Sequence, residues 1–151
     1  MAFSSRPVMD SKDAAALNLG DDFEDDVCLS NAEVAIILEK QKANYLEQKK
    51  TFTSAFKKTE SYVLRFTGTS DPVVNQASVI ELREALQSIW FEHDEEVHRL
   101  EEFEIACLSN LNPEGVEEAV TLIPSLPKHF TDNEIEEILS LISRMTAKML
   151  H

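Results

Sequence analysis

From about residue 30 onward, the apolar positions of the chain recur with a helical period. Ser30 with Glu33 spells a capping box, S-x-x-E, and Val34, Ile37, Leu38 and Tyr45 follow as one apolar stripe that fades near Gln48. A second helix is expected from Thr51 to Phe66, where Phe52, Phe56, Thr59, Val63 and Phe66 recur at steps of four, three, four and three. The stretch GTSDP, Gly68 to Pro72, ends it, because the residue before a proline is pushed out of the helical region. A third helical region runs from about Val73 to Leu111. Its first face is Val79, Leu82, Leu86, Ile89 and Trp90, and its second is Val97, Leu100, Phe103, Cys107, Leu108 and Leu111. The polar run Glu92 to Glu96 separates them, so a kink or short loop is predicted near His93–Glu95.

Asn112-Pro113 reads as the N-cap and first position of a short helix reaching about Ile123, with Val116, Ala119, Val120 and Ile123 inward. Pro124 and Pro127 then forbid continuation. Thr131 and Glu134 make a second capping box. The helix behind it, with Ile135, Ile138, Ile142, Met145 and Met149, has the most regular amphipathic pattern in the chain. Upstream, residues 1–13 are polar, aperiodic and expected to be disordered. Ala14 to Phe23, AAALNLGDDF, offers Leu17, Leu19 and Phe23 as apolar anchors. Leu17-Asn18-Leu19 alternates as a short strand would, and Gly20 ends it; so short a strand needs a sheet edge supplied by another chain.

Composition agrees with an all-α helical bundle, since three glycines and five prolines in 151 residues are too few for a many-turned β-fold. No apolar run approaches the roughly 20 residues of a membrane span, and the first residues lack the apolar stretch of a secretory signal, so an intracellular protein with no membrane contact is expected. The net charge of −14 is uneven: residues 39–66 hold seven bases against three acids, whereas every other part of the chain is acidic. Such a surface repels nucleic acid, so any RNA contact, weak or indirect, has to use Lys40 to Arg65 or a partner. There, Phe52 and Phe56 lie on the apolar seam and read as core rather than as stacking platforms.

Catalytic chemistry has little to stand on. Cys28 and Cys107 are the only cysteines and have no paired spacing, which reads as two structural thiols. His93 and His98 are five apart and do not share a helix face, so no metal site is indicated and the two read as part of a solvated polar face. No serine sits in a G-x-S-x-G turn, three glycines cannot build a phosphate cradle, and Glu117-Glu118 and Glu136-Glu137 point to different sides of their helices. No cofactor and no catalytic residue are expected.

Three blocks, taken in order, resemble the stalk-subunit family of RNA polymerase II, the fourth-largest subunit of that enzyme: Ala14–Phe23 (AAALNLGDDF), Leu29–Glu39 (LSNAEVAIILE) and Phe103–Leu126 (FEIACLSNLNPEGVEEAVTLIPSL). Residues 67–100 look longer than the family's usual connection, and Arg144 to Met149 replaces its basic-aromatic tail. The resemblance implies an HRDC-like helical domain over residues 49–151, behind a partner-docking strand and first helix at residues 14–48. It further implies a non-catalytic, nuclear polymerase subunit. This subunit would form a heterodimer with an OB-fold-containing subunit as a stalk near the RNA exit channel of core RNA polymerase II, supporting initiation. Under it, Leu17, Leu19, Phe23, Val34, Ile37 and Leu38 are expected to bind the partner. The alternatives are the stalk subunit of another nuclear polymerase and a free-standing HRDC-type nucleic-acid-binding domain.

Overall fold

The first and last long helices start at the two predicted capping boxes. The computed structural model describes residues 12–150, so the tail expected at residues 1–13 falls, as far as residue 11, outside the described residues. Ser30 caps α1 (Asn31–Glu47), its hydroxyl accepting from the Glu33 N–H while the Glu33 carboxylate accepts from the Ser30 N–H at 3.1 Å. Lys49, at φ 53°, turns the chain into α2 (Ser54–Arg65), capped by Thr53. Then follow α3 (Gln76–Ser88), β1 (Trp90–His93), β2 (Glu96–Arg99), α4 (Glu102–Leu111), α5 (Val116–Leu122) and α6 (Asp132–Ala147). Thr131 and Glu134 form the second predicted box at the start of α6. The fold is a helical bundle with one small hairpin.

Burial follows the apolar periodicity most closely in the C-terminal half. Leu86 of α3, Ile105 and Leu108 of α4, Ala119 of α5 and Ile135, Ile138 and Ile142 of α6 share one core, closed by Ile123, Leu126 and Phe130 from the Pro124–Phe130 connection. Met149, past the end of α6, also enters it, held there by an amide clamp. The Asn75 side-chain amide donates to the Leu150 carbonyl and its Oδ1 accepts from the Leu150 N–H, each at 2.6 Å. In the N-terminal half, α2 packs on α1, and Tyr45, Phe52 and Phe56 meet at centroid separations of 5.2 to 5.8 Å. The phenylalanines are indeed held among their neighbours.

Three local expectations give way to different geometry. Leu17-Asn18-Leu19 is not a strand in the isolated chain: Ala14–Ala16 is a 3₁₀ turn, Leu17 ends it at φ 61°, and Asn18 bridges back to Asp13. With no foreign edge to pair with, the segment satisfies its backbone groups locally, the Asp13 and Asn18 N–H groups each donating to the other's carbonyl. The break at His93–Glu95 is a hairpin turn between β1 and β2, with Asp94 and Glu95 both left-handed at φ 53° and 63°, the geometry of a type I′ turn. Asn112 closes α4 rather than opening α5. It takes the left-handed conformation at φ 42°, which asparagine tolerates, and Gly115 is the cap of α5.

Glycine is required at position 68. A methyl group there would stand 2.1 Å from the Ser109 carbonyl oxygen and 2.8 Å from that of Asn110, both backbone atoms at the end of α4. Gly68→Ala is therefore expected to lower unfolding stability by about 3 kcal/mol in urea titration. Glu95→Gly, which removes the side chain from a left-handed position, is expected to raise it by about 1 kcal/mol in the same assay.

A candidate docking surface braced by Arg83

The segment ahead of α1 and the start of α4 face each other across an open cavity of about 460 Å³. Leu17, Leu19 and Phe23 contribute apolar lining from one side and Phe103 from the other; Asp21, Glu24, Asp25, Asp26, Glu101 and Glu102 make it acidic. Leu17 and Leu19 are half-buried, and Phe23 is 52% exposed. Three of the six residues expected to bind a partner are thus brought together. The other three divide. Ile37 is 45% exposed, whereas Val34 and Leu38 are half-buried. By helical spacing those two share the side of α1 that carries Tyr45, the side on which α2 packs.

One residue that the sequence reading passed over holds this region in place. Arg83, on α3, makes a bidentate ion pair with Glu33 of α1, at 2.6 Å through Nε and 2.7 Å through Nη2, and a second pair with Glu102 of α4 at 2.8 Å. Its Nη2 also donates to the Cys28 carbonyl. The Arg83 side chain is only 14% exposed, so the pairs are shielded from water and mutually dependent. Burial pushes the Glu33 carboxyl up, but the Arg83 hydrogen bonds, the Ser30 N–H and the guanidinium charge outweigh it and hold Glu33 below the ordinary glutamate value. Because Glu33 also completes the cap of α1, the same carboxylate starts a helix and joins it to two others.

A second polar group sits in the core itself. Glu104 is 0% exposed, yet its carboxylate accepts from the Glu101 N–H at 2.9 Å and the Ser125 hydroxyl at 2.7 Å and lies 3.1 Å from His129 Nε2. His93 Nε2 donates to the His129 carbonyl at 3.2 Å, with Glu134 at 3.5 Å, while the His93 and His98 rings stack at 3.9 Å. The histidines that read as a solvated face are therefore pieces of a hairpin docked on the helices. The hydrogen bond to Asp94 raises the His93 pKa above its ordinary value. Burial pushes the Cys107 thiol up to about 11 and raises Cys28 as well, which keeps both thiols protonated and poor nucleophiles. Among the described residues no group of three His, Cys, Asp or Glu is placed to hold a metal ion.

These features define a helical bundle, braced by Arg83, with an acidic cleft partly lined by apolar side chains. The chain matches the family model described as RNA polymerase Rpb4 over residues 28–146, and it belongs to that family. It is 36% identical over 142 residues to "DNA-directed RNA polymerase II subunit 4" of Arabidopsis thaliana, spanning 89% of this chain and 93% of that one. The "DNA-directed RNA polymerase II subunit rpb4" of Dictyostelium discoideum is 32% identical over 155 residues, with 91% of each chain covered. The protein of that name from Schizosaccharomyces pombe is 31% identical over 137 residues, covering 89% of this chain and 91% of that one. Val34, Ile37 and Leu38 fall inside the family match, whereas Leu17, Leu19 and Phe23 precede it.

Arg83→Met leaves Glu33 and Glu102 without their cation, and is expected to destabilise the protein by about 3 kcal/mol at pH 7. Since the folded Glu33 pKa is depressed, its contribution is present above the ordinary glutamate value and disappears as pH falls through the lower, folded value. The gap between wild type and variant should accordingly narrow below about pH 4.5, measured by urea unfolding from pH 7 to pH 3. A gap independent of pH would show that the ion pair does not carry the effect.

Proposed function

We propose that this chain is a non-catalytic subunit of nuclear DNA-directed RNA polymerase II. The observation that carries the reading is the agreement of the family match with three relatives, each named as subunit 4 of that polymerase and each aligned over about nine-tenths of this chain. In this reading the subunit associates with core RNA polymerase II and pairs with an OB-fold-containing subunit to form a stalk near the RNA exit channel, supporting initiation. Its work is positional: it supplies a rigid helical body and a docking edge, and the chemistry belongs to other subunits.

The docking edge is the segment ahead of α1. Its backbone is held by short local bonds, among them the pair between Asp13 and Asn18, which a partner's sheet edge can replace as Leu17-Asn18-Leu19 extends. Leu17, Leu19 and Phe23 supply apolar area beside that edge, continued along α1 by Ile37 and by the half-buried Val34 and Leu38. The cost of ordering is met by the interface, as in other coupled folding and binding.

Co-expression with an OB-fold stalk subunit tests this directly. Wild type is expected to co-purify as a one-to-one heterodimer on size exclusion, and Leu17→Asp with Leu19→Asp and Phe23→Asp to abolish it while the circular dichroism of the isolated chain stays unchanged. An unaltered heterodimer from the triple variant would overturn the docking assignment. A wild-type chain that ignores the OB-fold subunit would overturn the stalk reading itself.

A further inference from the structure

On the outward side of α2, exposed apolar area and positive charge coincide. Helical spacing puts Lys58, Tyr62 and Arg65 together on the side of α2 turned away from α1, with Phe66, the C-cap, against Tyr62. All four are exposed, Tyr62 at 58% and Phe66 at 48%. The helix has a single carboxylate, Glu60, and it faces α1, where it pairs with Lys42 at 3.4 Å. Lys57 and Lys58 have no ion pair with any described residue. Residues 39–66 carry a net +4 in a chain of −14, so this helix presents a positive field amid acidic surroundings.

Two classes of polyanion fit positive charge beside aromatic rings, and ring geometry separates them. A single nucleic-acid strand needs open ring faces on which bases can stack. Here one face of Phe66 is covered by the Arg65 guanidinium, 5.2 Å from the ring centroid, and Tyr62 leans on the ring at 4.9 Å and 48°. The more deeply set rings, Phe52, Phe56 and Tyr45, are engaged with one another. What remains open on this side is ring edges, flanked by Lys58 and Arg65. Such a surface suits aliphatic side chains with carboxylates beside them.

We infer that the outward face of α2 is a docking surface for an acidic amphipathic helix of a partner protein. That helix lays leucine or phenylalanine side chains along Tyr62 and Phe66 and sets its carboxylates against Lys58 and Arg65. The surface lies on a different helix from the segment ahead of α1, and its occupation does not depend on the stalk reading.

The test uses the full chain, labelled with ¹⁵N, and three probes at physiological ionic strength. These are an 18-residue helix-forming peptide with leucine and phenylalanine at i, i+3, i+4, i+7 and glutamate between them, its scrambled counterpart, and an oligouridylate. The ordered peptide is expected to shift amides of residues 54–66, and Lys58→Glu with Arg65→Glu to weaken it about tenfold, the sum of two exposed ion pairs. Lys58→Arg, which keeps the charge, should retain the affinity. Because these side chains are exposed, the variants are expected to keep the wild-type circular dichroism, which separates lost binding from lost fold. Binding indifferent to the charge reversal, equal binding of the scrambled peptide, or no binding of the ordered peptide would each overturn the proposal. Oligouridylate shifting the same amides in its place would replace it with a nucleic-acid surface.

Discussion

The structure depends first on one guanidinium largely shielded from water. Arg83 reaches from the middle of α3 to the first turn of α4 and to the start of α1, where it meets both Glu33 and the Cys28 carbonyl, so one cation ties two distant segments to α3. The arrangement suits the local fields: Glu33 and Glu102 both lie at helix N-termini, where negative charge is favoured, and a single arginine satisfies them together. Lysine could not substitute, because a point charge lacks the planar fork that meets Glu33 through two nitrogens and still leaves one for Glu102. A cluster of this kind often adds no more to stability than apolar side chains of equal volume, but its four directional hydrogen bonds tie α1, α3 and α4 together. That junction sets the wall of the acidic cleft.

The buried Glu104 plays the matching part on the same first turn of α4. It caps that helix through the Glu101 N–H, takes the Ser125 hydroxyl from the proline-bounded connection and meets His129. The IPSLP turn is thereby joined to a helix it follows in sequence by more than a dozen residues. The hairpin is fastened to the same connection through His93 and the His129 carbonyl. Prolines restrict this stretch of chain, and the carboxylate decides where it sits.

Much of the fold was legible in the sequence because helices announce themselves by capping boxes and by a 3.6-residue period. Ser30 and Thr131 marked the starts of α1 and α6, and the core positions of α6 followed from spacing alone. The hairpin was hidden for a physical reason: its strands have four residues each and its turn, Asp94-Glu95, lacks the glycine that normally advertises a left-handed pair. Asn112 carried an ambiguous signal, since asparagine serves equally before a helix and after one. Arg83, Glu102 and Glu104 gave no signal, because a lone arginine and glutamates in an acidic chain read as solvated surface until the fold brings them together. Of the residues expected to dock a partner, Leu17, Leu19 and Phe23 line one cleft without the strand that their alternation suggested, while Val34 and Leu38 turn toward α2.

The tight approach of Gly68 to the end of α4 has a mechanical meaning. The strand of chain leaving α2 lies flat against the Ser109 and Asn110 carbonyls, and the Asn110 side chain accepts from the Asn31 N–H at 2.7 Å, while Asn31 donates to the Phe66 carbonyl at 2.9 Å. Both roots of the α1–α2 arm are thus pinned to the same point on the bundle. An arm anchored at one root would swing; one anchored at both behaves as a rigid strut. Whatever grips its far end moves with the bundle as one body.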